Sequence, residues 1–261
     1  MPYATIDLTR TQNLTAMADD LQKIFLDLNV FRGVGEDPGY SPPVLTDRPR
    51  DWPLDRWADA PKPIPPPNST VDLGFAEFPR YHWRGLRLLK VPKTQSAYHD
   101  LLWELRPRTV IELGVYGGGS LVWFRDMTSL MGIDCQVIGV DKNLALCQIP
   151  SCEMSNIVLH EADCAALDTF DPLVTAAHPL THPLIMIDDA HCNTFNVMKW
   201  AVDHVLCPGD YFVIEDMMAW WHRYSPNLLL EYLATFRDVL VMDLMYANAC
   251  PQLARGVFRR Y

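Results

Sequence analysis

Apolar positions recur along the chain with two different periods. Between Asn13 and Asn29, Leu14, Met17, Leu21, Ile24, Phe25 and Leu28 follow one another at helical spacing. That pattern predicts a helix with one apolar face, which must dock on the main body or on a second subunit. From Phe31 to Trp57 the chain reads as an aromatic, proline-rich loop. Twelve of the 21 prolines fall in the first 80 residues, and Pro61, Pro63, Pro65, Pro66 and Pro67 exclude helix or sheet interior there. Ile64–Ser69 is therefore read as an extended connector.

A regular alternation begins near residue 95. Short β-rich runs are expected at Thr109–Leu113, Gln136–Val140, Asn156–His160, Leu184–Ile187, Tyr211–Ile214 and Val239–Met242, with Gly256–Arg259 as a seventh. Helical spacing is expected at Gln95–Leu105, Ser120–Met131, Thr194–Leu206 and Leu228–Phe236. Apolar strands alternating with helices predict an α/β sandwich around a mostly parallel sheet. Ligands of such sheets sit beyond the carboxyl ends of the strands. The expected division is an N-terminal helical and extended appendage, residues 1–94, followed by the main domain, residues 95–261.

Composition narrows the possibilities. The 261 residues are 49% hydrophobic and 21% charged, which suits a packed core, and the formal charge is −10. An acidic balance argues against nucleic-acid or polybasic membrane binding. No apolar run approaches roughly 20 residues and no secretory pattern is visible at the start, so a cytoplasmic protein is expected. The seven cysteines form no C-x-x-C pair and read as reduced thiols.

Three clusters carry candidate chemistry. The first is Glu112-Leu-Gly-Val-Tyr-Gly-Gly-Gly-Ser120, in which Gly114, Tyr116 and Gly117 form a loop and Ser120 is placed to cap the next helix. Its spacing departs from the dinucleotide fingerprint G-x-G-x-x-G. An acid before a glycine loop suits a cationic cofactor such as S-adenosylmethionine; an ordinary tight turn is the alternative. The second cluster is Asp141, placed to accept ribose hydroxyls, with Asp163 as an adenine contact or a plain cap. The third is Asp188-Asp189-Ala-His191 with Glu215-Asp216. Neighbouring carboxylates repel unless a cation neutralises them, and magnesium prefers oxygen ligands. Asp188, Glu215 and Asp216 are the candidate ligands. Met217, Met218, Trp220 and Trp221 are candidates for an apolar pocket, and His222 and Arg223 for contact with a substrate carboxylate; core packing is the alternative for the first four.

Several stretches resemble the cephalosporin hydroxylase family, the cephamycin-pathway proteins of 7α-methoxylation. They are Asp47-Arg-Pro-Arg-Asp-Trp-Pro-Leu-Asp-Arg-Trp57, Tyr98-His-Asp-Leu-Leu-Trp-Glu-Leu-Arg-Pro-Arg108, the Glu112–Ser120 segment, Met131-Gly-Ile-Asp-Cys-Gln-Val-Ile-Gly139, Asn193-Thr-Phe-Asn-Val-Met-Lys-Trp-Ala-Val-Asp-His204 and Tyr246-Ala-Asn248. The resemblance implies a class I, Rossmann-like S-adenosylmethionine-dependent methyltransferase fold, a three-layer sandwich with a seven-stranded sheet. It also implies magnesium, as in macrolide sugar O-methyltransferases and catechol O-methyltransferase, on Asp188, Glu215 and Asp216. His191 matches the base of some sugar enzymes, with Asp188 beside it. The expected activity is magnesium-dependent O-methylation of a hydroxylated natural product, in antibiotic-type biosynthesis, by a homo-oligomer. The alternatives are a non-catalytic partner of a separate pathway hydroxylase and, more weakly, a nicotinamide oxidoreductase.

Overall fold

The apolar runs of the second half assemble into one mixed sheet. The computed structural model describes residues 50–60, 81–167, 180–217, 231–250 and 252–261. All of these belong to the unit Pro49–Tyr261. The helix expected over Asn13–Asn29, the connector Ile64–Ser69, and Met218, Trp220, Trp221, His222 and Arg223 lie outside the described residues.

Five parallel strands form the centre. They are β4 (Thr109–Leu113), β5 (Gln136–Asp141), β6 (Ile157–Glu161), β7 (Leu184–Asp188) and β8 (Tyr211–Ile214). Strands β4, β7 and β8 are buried along their whole length, as continuous apolar runs covered on both faces must be. Two further strands, β9 (Leu240–Asp243) and β10 (Val257–Arg260), complete the far side, with β10 antiparallel between β8 and β9. The order is β1-β9-β10-β8-β7-β4-β5-β6, where β1 is Asp51–Pro53. The chain runs outward from β4 in both directions, so the crevice at its carboxyl end is the topological switch point where such sheets hold ligands.

The sheet has eight strands rather than the seven expected. The extra one is β1, in a segment read as loop because proline interrupts it. Pro53 is tolerated because β1 is an edge strand, pairing antiparallel with β9 alone. A small hairpin, β2 (His82–Trp83) and β3 (Leu86–Arg87), was also not foreseen. Its two turn residues, Arg84 and Gly85, have φ of 49° and 83°, as tight hairpins require.

The helices match the expected positions with shifted ends. Helix α1 spans Pro92–Leu105 and starts three residues early, because Pro92 fits the first turn, where its missing N–H costs nothing. Helix α2 is Gly119–Leu130 and α3 is Thr194–His204. The end of the helix expected over Leu228–Phe236 is seen at residues 231–234. A single turn, α4 (Leu244–Ala247), follows β9.

A buried carboxylate fastens the β9 side. Asp243 is fully buried. It accepts from Arg50 Nε at 2.9 Å, Tyr211 Oη at 2.8 Å and the Met245 N–H at 3.0 Å. It thereby joins β9, β8, the start of β1 and the first turn of α4. Asp243→Ala leaves the Tyr211 hydroxyl without its acceptor, and hydrogen bonds to charged groups contribute about 1.5–3 kcal/mol each. Urea denaturation is expected to show a loss of about 2–4 kcal/mol, with Asp243→Asn losing clearly less.

Candidate functional site

Acidic residues end β5, β6 and β7 at the carboxyl edge of the sheet, Glu215 and Asp216 directly follow β8, and Glu112 lies one residue before the end of β4. The side chains divide into an inner set and an outer set. Strand residues alternate between faces, so the last residue of a strand and the next one point to different surroundings.

Glu112, Asp188 and Glu215 form the inner set, each with no exposed surface. Lys90, 1% exposed, lies among the acids. Its Nζ is 2.9 Å from Glu112 Oε1, 2.6 Å from Glu215 Oε1 and 3.2 Å from Asp189 Oδ2. Glu215 Oε1 also accepts from Tyr98 Oη at 2.6 Å, and its Oε2 from Gln252 Nε2 at 3.4 Å. Glu112 Oε2 accepts from Ser120 Oγ at 2.5 Å. Burial lowers the Lys90 pKa, but the three carboxylates outweigh it and hold the ammonium well above its ordinary value.

Asp188 does not share this lysine. It still pairs in the ladder, opposite Leu113 and Ile214, and its Oδ1 accepts the His191 N–H at 3.2 Å. Burial raises its pKa, opposed first by the Thr194 hydroxyl and then by His191.

The outer set is Asp189, His191 and Asp216. His191 Nε2 lies 3.6 Å from both Asp189 Oδ1 and Asp216 Oδ2. One donor atom from each of the three residues falls within 4.8 Å of the others. The three are partly open, with side-chain exposures of 22% for Asp189, 29% for His191 and 23% for Asp216. His191 and Asp216 adopt positive φ of 54° and 50°, which carries each loop sharply away from its strand. Burial pulls the His191 pKa down, but the Asp216 hydrogen bond and the charges of Asp189 and Asp188 raise it overall. Burial pushes Asp189 to about 6, with Lys90 opposing the shift and Glu112 adding to it. Burial and then Asp189 push Glu215 to about 7, against the pull of Lys90.

The glycine loop closes the site from the β4 side. Gly114 has φ of 94°, and a Cβ there would lie 2.9 Å from the backbone of Asp189 and Ala190. The acid loop after β7 thus packs directly on Gly114. Asp141, ending β5, accepts the N–H groups of Val115 at 2.9 Å and Tyr116 at 3.2 Å through Oδ2, and that of Asn143 at 3.0 Å through Oδ1. Tyr116, with φ of 47°, is exposed and accepts from Arg87 Nη1 at 2.8 Å. The carbonyl of Gly117 accepts from the Gln148 N–H at 3.3 Å. Asp163 Oδ1 accepts the Ala165 N–H at 2.9 Å, the geometry of a turn cap.

One expectation changes, the cap of α2. Ser120 is not the cap of α2; Gly118 holds that position with no side-chain bond, and the Ser120 hydroxyl is committed to Glu112. Glu112 is buried within its strand, bound by Lys90 and Ser120. Of the acids expected around a metal, the structure gathers Asp216 with Asp189 and His191, while Asp188 sits in the interior and Glu215 is engaged by Lys90. Lys90, Tyr98 and Gln252 were missed. The signal for Lys90 was available: a lone cation in Leu88-Leu89-Lys90-Val91 is costly to bury unless acids meet it.

The sheet order, with the antiparallel β10 inserted between β8 and β9, and the acid-rich crevice at the carboxyl edge define a class I, Rossmann-like methyltransferase fold. The chain belongs to the Rhamnosyl O-methyltransferase/CmcI family, whose model matches residues 77–223. It is 63% identical to a solved CmcI structure described as Mg-SAM, covering 93% of this chain and 99% of the other with a TM-score of 0.68. A CmcI structure with SAH is 62% identical, covering 86% and 99% with a TM-score of 0.65. Rhamnosyl O-methyltransferase of Mycobacterium leprae (strain TN) is 27% identical over 150 residues, 56% of this chain. The matched region spans 64% of that relative's length. Among the described residues no helix is long and apolar enough to cross a membrane.

Removing the buried lysine tests the inner set. Lys90→Met leaves Glu112 and Glu215 buried without a counter-charge. Breaking a buried pair on one side costs about 3–5 kcal/mol, so urea denaturation at pH 8 should show a loss of that size. The loss should shrink at pH 5, where Asp189 and Glu215, with values of about 6 and 7, become protonated. A deficit independent of pH would place the role of Lys90 in packing alone.

Proposed function

We propose that this chain is an S-adenosylmethionine-dependent O-methyltransferase acting on a hydroxyl of a small natural product, with magnesium held by the outer acids. The observation that carries this reading is the Asp189–His191–Asp216 cluster, open to solvent and set against the glycine loop. The carboxylates of Asp189 and Asp216, gathered with His191 within 4.8 Å, suit a magnesium ion, which prefers oxygen ligands. Glu215 joins them through Oε2, whose one described bond, to Gln252, is long. Magnesium and S-adenosylmethionine are carried here from the CmcI relative described as Mg-SAM.

Bound at this edge, magnesium supplies charge that favours the deprotonated acceptor hydroxyl, and S-adenosylmethionine supplies the electrophilic methyl group. The protein's own residues position and neutralise. Asp141 fixes the loop by holding the Val115 and Tyr116 N–H groups, and it remains the carboxylate assigned to ribose. Asp163, at the end of the neighbouring loop, is assigned to the adenine side. Asp189 replaces Asp188 as the first metal acid, because Asp188 is still inside the strand ladder while Asp189 has left it. Asp188 holds the His191 backbone and so sets the imidazole. His191 is the proposed acceptor of the hydroxyl proton, since the carboxylates of Asp189 and Asp216 beside its Nε2 stabilise the imidazolium that results. A cavity of about 330 Å³ opens at the same edge, lined in part by Asn193, Asn196, Met217 and Tyr232. Its mixture of amide, thioether and aromatic groups suits an acceptor with polar and apolar faces, and we assign the acceptor there.

Replacement by amides separates the neighbouring acids. Asp189→Asn and Asp216→Asn should each weaken magnesium binding at least about tenfold by calorimetry, the size of one lost charge-assisted contact. Asp188→Asn should keep metal affinity within a few-fold. The opposite ranking would return the ligand role to Asp188. Activity, read by mass spectrometry as the gain of one methylene on a hydroxylated acceptor, should vanish in excess chelator.

The proton-accepting role has its own test. His191→Ala should lower turnover by roughly 10²–10⁴-fold and flatten the acid limb of the rate profile. Because the folded imidazole holds its proton above the ordinary value of 6.5, that limb in the wild type should lie above pH 6.5 at low magnesium. A variant with near wild-type turnover and an unchanged limb would assign proton removal to another group.

A further inference from the structure

All seven cysteines lie among the described residues as free thiols. Two of them come from different loops and touch: Cys164 Sγ and Cys192 Sγ are 3.1 Å apart. Cys164 follows β6, next to Asp163; Cys192 follows β7, next to His191. The backbones are already fastened to each other. Asn193 Nδ2 donates to the Ala165 carbonyl at 3.2 Å, and Cys164 Sγ lies 3.8 Å from the Cys192 carbonyl. A disulfide needs its sulfurs about 2.05 Å apart. The remaining approach is about 1 Å, within reach of side-chain rotation.

We propose that Cys164 and Cys192 form a reversible disulfide by exchange with a low-molecular-weight disulfide. Cys192 is partly exposed and Cys164 is buried, which sets the order of events. Cys192 Sγ attacks one sulfur of the small disulfide, a mixed disulfide forms, and one small thiol leaves carrying the Cys192 proton. Cys164 Sγ then attacks Cys192 Sγ, and the second small thiol leaves with the Cys164 proton. Two protein thiols are oxidised and one small disulfide is reduced to two thiols. The new bond ties the loop of Asp163 to the loop of His191, so the redox state of the pair governs how far those loops can separate. This chemistry stands on the thiol geometry and does not require the methyl-transfer reading.

The test uses the native chain treated with oxidised glutathione, blocked with N-ethylmaleimide and analysed as unreduced peptides. The expected product is the linked Cys164–Cys192 peptide pair, lighter by two hydrogens, at roughly tenfold or more over any other cysteine pair. Dithiothreitol should reverse it. In Cys164→Ser the glutathione adduct should persist on Cys192, because the resolving thiol is gone. The exposed Cys152 and Cys207 report that the oxidant was active. If those two carry glutathione while Cys164 and Cys192 are both recovered as maleimide adducts, the proposal is overturned. A glutathione adduct that persists on Cys192 in the unsubstituted chain overturns it equally.

Discussion

One buried ammonium organises the functional edge of this protein. Lys90 meets carboxylates from three adjacent strand ends, β4, β7 and β8, at 2.6–3.2 Å. A lone charge in the interior is unfavourable by several kcal/mol, and so are the acids around it. Neither side persists without the other, so the position of Lys90 fixes how these three strands end relative to one another. The Tyr98 hydroxyl and Gln252 amide complete the arrangement from α1 and from the residues before β10. The lysine arrives on the segment leading into α1, which makes the region before residue 95 part of the site's foundation.

This constraint explains why neighbouring acids differ in what they can do. Glu215 and Asp216 are adjacent in sequence, as are Asp188 and Asp189, yet one of each pair is sealed and the other is open. A strand continues to alternate its side chains until it leaves the ladder. Asp188 is still paired and points inward while Asp189 turns out with the loop; Glu215, one residue past β8, still lies inward, and Asp216, with φ of 50°, turns away. Lys90 partly neutralises the buried layer and touches Asp189 through one oxygen only, which leaves Asp189 Oδ1 toward His191.

Much of this was legible in the sequence. The parallel strands were found within a residue because buried strands read as continuous apolar runs. The acids at their ends were found because the carboxyl edge of such a sheet is where they matter. Other features escaped for physical reasons. Strand β1 carries a proline, tolerable only at an edge, and edges are defined by pairing that sequence does not display. That Asp188 stays in the ladder while Asp189 leaves it turns on a single residue, which the sequence does not mark. Lys90 lies 22 residues before Glu112 and 125 before Glu215, so its partners become apparent only when the strands are side by side.

The electrostatics of the edge also bear on what it can hold. Glu112, Asp189 and Glu215 surround Lys90, and Asp188 and Asp216 lie beside them in sequence, so carboxylates outnumber the one buried ammonium and the imidazole of His191. Asp189 and Glu215 respond by shifting upward to about 6 and 7, above ordinary values of 3.8 and 4.5. Each holds its proton longer in the fold than in the unfolded chain, so stability declines as pH rises from about 4 to about 7. A small divalent cation relieves the repulsion among these carboxylates while retaining coordination positions for other ligands. The excess negative charge at the outer acids is therefore the feature on which the proposed cation site rests, beside the structural seam that Lys90 forms.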